Sequence, residues 1–228
     1  MKRIERLGEA VAPDGKTLVL YRHDRDYVIR VDGEELMSTR RHHSEDVLGE
    51  RVCAPLGDQA GVRVLIGGLG LGFTLRAALR SLAPDARVVV AEIVEEVIGW
   101  NRNPDFELAA DALADPRVEV RHDDVANVLQ ASPGEFDAIM LDVDNGAAPL
   151  TTQGNAALYR ARGIRLAAAA LRPGGRLAYW SAVDDRAFAT ALRREGMAVE
   201  VHRVRAHPGS RSTHTIFVAT RVEAAASV

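Results

Sequence analysis

The chain has 228 residues, 47% of them hydrophobic and 27% charged, with a formal net charge of −3. That is enough chain for one α/β domain with a small addition, and the charge gives no field to recruit nucleic acid or acidic lipid. A single cysteine, Cys53, excludes an internal disulfide, and no Cys/His cluster has zinc-ligand spacing, so no metal is expected.

The opening Met1-Lys2-Arg3-Ile4-Glu5-Arg6 lacks the apolar stretch of a signal peptide, and no apolar run is long enough to span a membrane. A cytoplasmic protein is the expectation. Thr17 to Tyr21 and Tyr27 to Val31 read as strands separated by the polar turn His23-Asp24-Arg25-Asp26. Asp32-Gly33 is a hairpin signal, and Glu34 to Ser38 completes a small β-meander that must pack on something else. The expected division is a meander over residues 1–43, an α/β domain over 44–221 and a tail over 222–228. Ser44 can cap a helix reaching about Leu56, with Glu45 and Asp46 in its first turn and Cys53 as a small residue on its face.

From Val62 strands and helices alternate. Val62 to Ile66 is a buried strand, and Phe73 to Leu82 a helix with Leu75, Ala78, Leu79 and Leu82 on one face. Arg87 to Ile93 is a strand and Glu95 to Asn101 begins a helix; Val118 to Arg121 and Phe136 to Val143 are further strands. Asn155 to Leu171 reads as one long helix stopped by Arg172-Pro173-Gly174-Gly175. Arg176 to Trp180 is a strand, Asp184 to Arg194 a helix, and Met197 to Val204 and Thr215 to Thr220 are the last strands. The pattern predicts a mostly parallel sheet covered on both faces, with an antiparallel edge hairpin.

The stretch from Val64 through Gly67-Gly68-Leu69-Gly70-Leu71-Gly72 carries most of the functional information. A strand enters a glycine turn and a helix opens at once, so bare backbone and free N–H groups meet whatever binds there. The dinucleotide fingerprint fails: its third small residue would be Phe73 or Leu75. This argues against a nicotinamide-dependent oxidoreductase and for an amino-acid-bearing nucleoside. Acids then close successive strands. Glu92 lies 20 residues after Gly72, where a carboxylate can accept from ribose hydroxyls. Asp123 and Asp124 end the next strand; one can take an adenine amine while the other caps the following helix, and Asp124 is preferred for the base, with Val125 beside it. Asp142-Val143-Asp144-Asn145-Gly146 ends the fourth.

With these residues in place, the chain resembles the spermidine synthase-like branch of the class I S-adenosylmethionine-dependent methyltransferases over residues 17–220. The resemblance rests on Val64 to Gly72, Ala91-Glu92-Ile93, Asp115-Pro116-Arg117-Val118 leading to Asp124, Phe136 to Asp142, Leu158-Tyr159 and Leu171 to Gly175. It implies a Rossmann-like fold with a seven-stranded sheet and the N-terminal β-meander. It also implies S-adenosylmethionine as cofactor. Gly68, Gly70, Leu71 and Gly72 would surround its methionine part, Glu92 and Ile93 its ribose, and Asp123, Asp124 and Val125 its adenine. Asp142 would lie beside the sulfonium. His43 falls where aminopropyltransferases carry a His-Glu pair. Those enzymes place an aspartate inside the glycine turn, at the position read here as Leu71, and a glutamine after the hairpin, where Glu34-Glu35-Leu36-Met37 stands.

These departures favour a methyltransferase on a small-molecule acceptor, with a spermidine synthase-like aminopropyltransferase as the alternative and a non-catalytic binding protein as the second. Asp142, Asp144 and His43 are the candidate bases, and Asn145, Tyr159 and Trp180 the candidate acceptor contacts. A homodimer through the meander is a further expectation, as in relatives.

Overall fold

The computed structural model describes residues 4–143, 155–207 and 209–221. Two sheets organise them. The first is an antiparallel meander of β1 (Ile4–Val11), β2 (Thr17–His23), β3 (Asp26–Val31) and β4 (Glu34–Ser38). The second has seven strands: β5 (Arg63–Gly67), β6 (Arg87–Glu92), β7 (Val118–His122), β8 (Phe136–Leu141), β9 (Leu171–Ser181), β10 (Met197–Arg205) and β11 (Thr213–Arg221). Their order is β10-β11-β9-β8-β5-β6-β7. The inner pairs are parallel, and β11 joins β9 and β10 antiparallel. This is the Rossmann-like fold with an antiparallel edge that the alternation of elements predicted.

Side chains alternate across the large sheet. Val64, Ile66, Val90, Met140 and Trp180 face one layer, which holds α1 (His43–Cys53), α2 (Phe73–Ser81), α3 (Glu95–Arg102), α4 (Ala110–Leu113) and the meander. Leu65, Val89, Ile139, Leu141 and Tyr179 face the other, covered by α5 (Val125–Ala131), α6 (Asn155–Leu158), α7 (Ala161–Ala170) and α8 (Arg186–Arg194). No described helix is long and apolar enough to cross a membrane.

Three elements differ from the sequence expectation. Strand β1 was not anticipated, because Ile4 to Val11 carries charges on an exposed edge; it docks through Gly8, where any Cβ would collide with the Trp100 indole. The long helix after Asn155 is two helices. Gly163 packs so tightly on the backbone of Ala157 and Leu158 that the chain must turn at Arg160, whose φ is −94° and ψ 163°. Arg172 to Gly175, read as a helix stop, belongs to β9 beyond an irregularity between Phe136 and Ala138 of its partner.

Candidate active site

Strand order reverses between β5 and β8, which pair in parallel from Val64–Ala138 to Gly67–Leu141. Such a reversal leaves a crevice outside the strand ends. Here it opens into a cavity of about 380 Å³, within the range of small-ligand sites. The floor comes from the ends of β5, β6, β8 and β9. Ala12, Leu18, Ile29 and residues 35–38 of the meander close one side, and residues between Ala206 and His214 another.

The glycine turn behaves as its sequence requires at two positions. Gly68 has φ +90°, and a Cβ there would strike the Asp142 carbonyl. Gly70 has φ +53°, and a Cβ there would lie 2.7 Å from Met37 Cε. Both line the cavity, so backbone is bared to it. Leu71 and Gly72 do not line it. Leu71 is only 2% exposed and packs in the core, while a Cβ on Gly72 would meet Ala109. The turn alternates between cavity and core, so Gly70, and not Leu71, faces the cavity.

Glu92 is buried at the cavity floor. Its Oε2 accepts from Leu69 N at 2.9 Å and its Oε1 from Val94 N at 2.9 Å. Burial raises its pKa, and backbone hydrogen bonds oppose the rise. A carboxylate has about four acceptor positions, and backbone N–H groups take at least one on each oxygen. Ile93 and Val125 line the cavity beside it. Asp124 caps α5, its Oδ1 accepting from Ala126 N at 2.8 Å. Asp123 Oδ1 accepts from Asp124 N and from Asn127 Nδ2, each at 2.8 Å. Both aspartates line the cavity with one oxygen committed to local structure, so the sequence division into one cap and one base reader becomes two partly engaged acids.

Beside them stand two half-buried carboxylates. Asp142, just beyond β8, accepts from Thr74 Oγ1 at 2.8 Å through Oδ2. Burial raises its pKa to about 6. Glu45, in the first turn of α1, is raised to about 8, first by burial and then by the charge of Asp142. Ser44 Oγ donates to Glu45 Oε2 and receives Trp180 Nε1–H at 3.0 Å. Its third neighbour is His214 Nδ1 at 2.9 Å. Glu45, Asp142, Trp180 and His214 all line the cavity.

Other expected residues fall elsewhere. His43 opens α1 but is not part of the lining. The fixed imidazole is His42, stacked on Phe73 at 4.1 Å and bonded to Asp46 at 2.6 Å. Tyr159 lies on the opposite face of the sheet from Trp180. Its hydroxyl donates to the Trp180 carbonyl at 3.1 Å and its ring packs on Tyr179 and Phe188, so it is a core residue and no wall of the site. Asp144 and Asn145 lie outside the described residues. Cys53 is buried, which pushes its thiol up to about 12 and makes it inert. Among the described residues no cluster fit to hold a metal occurs.

Sequence reasoning gave Ser44 only a capping role and Glu45 only a place in the first turn of its helix, and it passed over His214. For Glu45 a signal existed: it stands one turn before Leu48 and two before Val52, on the stripe that α1 buries. His214 carried none, because its place depends on the β10–β11 hairpin returning to α1.

No family model matches the chain. A curated relative, polyamine aminopropyltransferase 2 of Pseudomonas aeruginosa, is 34% identical over 152 residues. The match covers 63% of this chain but only 41% of that relative, so the shared part spans less than half the relative's length. Among solved structures, spermidine synthase from Thermotoga maritima superposes with a TM-score of 0.71 at 19% identity, covering 95% of this chain and 72% of that one. A spermidine synthase bound to the transition-state analogue AdoDATO gives the same values. A probable spermidine synthase from Corynebacterium glutamicum gives 0.69 at 17% identity, over 99% of this chain and 82% of that one.

These findings overturn the expectation of a methyltransferase using S-adenosylmethionine. The relatives are aminopropyl-transfer enzymes by name. In fold, and in the sequence shared with the Pseudomonas relative, the chain is similar to the spermidine synthase-like branch of the class I S-adenosylmethionine-dependent methyltransferase superfamily.

Proposed function

We propose that the chain transfers an aminopropyl group from decarboxylated S-adenosylmethionine to a small amine. The observation that carries this reading is the Glu45–Asp142 pair: two half-buried carboxylates, the charge of one raising the pKa of the other, at the mouth of the parallel sheet and in one cavity with Trp180. Among the described residues six carboxylates line that cavity (Glu35, Glu45, Glu92, Asp123, Asp124 and Asp142), with a single arginine, Arg41, drawn to Glu35 at 3.5 Å. Such a lining suits a cationic donor and an amine acceptor.

The residues present fit the donor. Gly68 and Gly70 bare the backbone, Glu92 lines the cavity as an acceptor for ribose hydroxyls, and Asp123 and Asp124 each keep one carboxylate oxygen for an exocyclic amine. The donor's sulfonium supplies an electrophilic carbon and departs as a neutral thioether. The attacking amine forms its new C–N bond and must lose a proton. Asp142 takes that proton, and Thr74 holds its carboxylate in place. Glu45, raised by burial and then by the neighbouring charge, keeps the pair from carrying two negative charges at once. Trp180 supplies an aromatic face to the acceptor's charged end.

The test is direct. The purified chain, given decarboxylated S-adenosylmethionine and 1,4-diaminobutane, should release methylthioadenosine and the aminopropylated diamine. Asp142→Asn should lower kcat by about 10²-fold or more. No aminopropylated product from any diamine or monoamine offered would overturn this reading.

A further inference from the structure

The hydrogen-bond arithmetic at Ser44 fixes the state of His214. Ser44 is fully buried, and its Oγ has one proton and two lone pairs. The proton goes to Glu45 Oε2, so the proton that Glu45 itself holds below about pH 8 sits on Oε1. One lone pair receives Trp180 Nε1–H, which is only ever a donor. The third contact, His214 Nδ1 at 2.9 Å, must then donate into the second lone pair. His214 Nδ1 therefore carries the hydrogen, and in the neutral ring Nε2 is bare. Burial lowers the pKa of His214, which keeps the ring neutral. The ring is half-buried, lines the cavity, and is braced at 4.6 Å by the Trp180 indole. Among the described residues Nε2 has no hydrogen-bond partner.

We propose that His214 is an acceptor-binding residue: Ser44 holds it as the Nδ1–H tautomer, so its bare Nε2 accepts an N–H from the amine that occupies the Trp180 side of the cavity. The arrangement is selective. An amine or ammonium has an N–H to give, whereas a carboxylate or ether at the same place would set lone pair against lone pair. The site thus takes acceptors whose end nearest Trp180 is a hydrogen-bond donor. This inference rests on the aminopropyl-transfer reading for its choice of acceptor class, and on hydrogen-bond geometry alone for the tautomer.

Two variants separate the two ring nitrogens. His214→Asn keeps an N–H at the Nδ1 position for Ser44 but loses the group at Nε2. His214→Gln reaches the Nε2 position with an amide oxygen. The expected result is a KM for 1,4-diaminobutane raised about tenfold in the asparagine variant, the loss of one hydrogen bond, with the donor KM unchanged. The glutamine variant should recover most of that loss. Equal rises in both KM values, or no recovery by glutamine, would show a merely structural role and overturn the proposal.

The second arm needs no turnover. In ¹⁵N spectra of histidine-labelled full-length chain, His214 should show a protonated Nδ1 and a bare Nε2, and 1,4-diaminobutane should move the Nε2 signal. An Nε2–H tautomer, or an Nε2 signal indifferent to the diamine, overturns the inference whether or not the chain is active. A shifted Nε2 in a chain that transfers no aminopropyl group upholds it and overturns only the transfer reading.

Discussion

Glu45 and Asp142 come from α1 and from the end of β8, and neither is acidic in the ordinary way. With Asp142 raised to about 6 and Glu45 to about 8, kcat should rise with pH as Asp142 gives up its proton and fall again as Glu45 gives up its own. Glu45→Gln should leave one step, near 6, which a pH–rate profile of the variant would show. Asp142 was legible in the sequence because strand ends collect function in this class of sheet. His214 was not legible, because only the completed β10–β11 hairpin brings it to Ser44. Tyr159 misled for a related reason: it stands close in chain to the site's elements but across the sheet from them. Tyr159→Phe should cost about 1 kcal/mol of stability through the lost bond to the Trp180 carbonyl and leave acceptor KM unchanged, readable by urea unfolding and steady-state kinetics.

Helices α1 and α2 carry opposite halves of the carboxylate pair's support, Glu45 on one and Thr74 on the other. They meet at Gly49, where a Cβ would lie 2.5 Å from Ala77 Cβ and 2.8 Å from the Thr74 carbonyl. Gly49→Ala should therefore cost about 1–3 kcal/mol by overpacking and lower kcat as well, since the helices must part at the site. Denaturant midpoints and kcat measured on the same variant would test both effects. At this scale periodicity placed the core strands other than β9, and helices α2, α3 and α8, to within about two residues, because their buried faces repeat regularly; β9 begins five residues before its expected start and α1 ends three before its expected end. It missed the break after α6, where the cause is one glycine's close approach, and β1, whose charged exposed face hides its pairing with β2.

For the molecule as a whole, the raised carboxyls oppose folding as the solution becomes alkaline. Above the ordinary values of 4.5 and 3.8 the unfolded chain has released these protons while the folded chain keeps them up to about 8 and about 6. Their contribution to stability is thus full at acid pH and is lost as pH rises through that window. Glu45→Gln should melt higher than the parent at pH 9, by about 3–6 °C, and no higher at pH 4, in paired thermal scans. The two tryptophans offer an optical route into the same events. Trp100 lies under β1 through Gly8, and Trp180 borders the cavity with its indole N–H tied to Ser44. With Trp100→Phe, the remaining emission comes from a fluorophore at the site itself. Occupancy could then be followed in a stopped-flow mixer without label or coupled assay, while Trp180→Phe would leave a single dye reporting when the meander seats on the larger sheet.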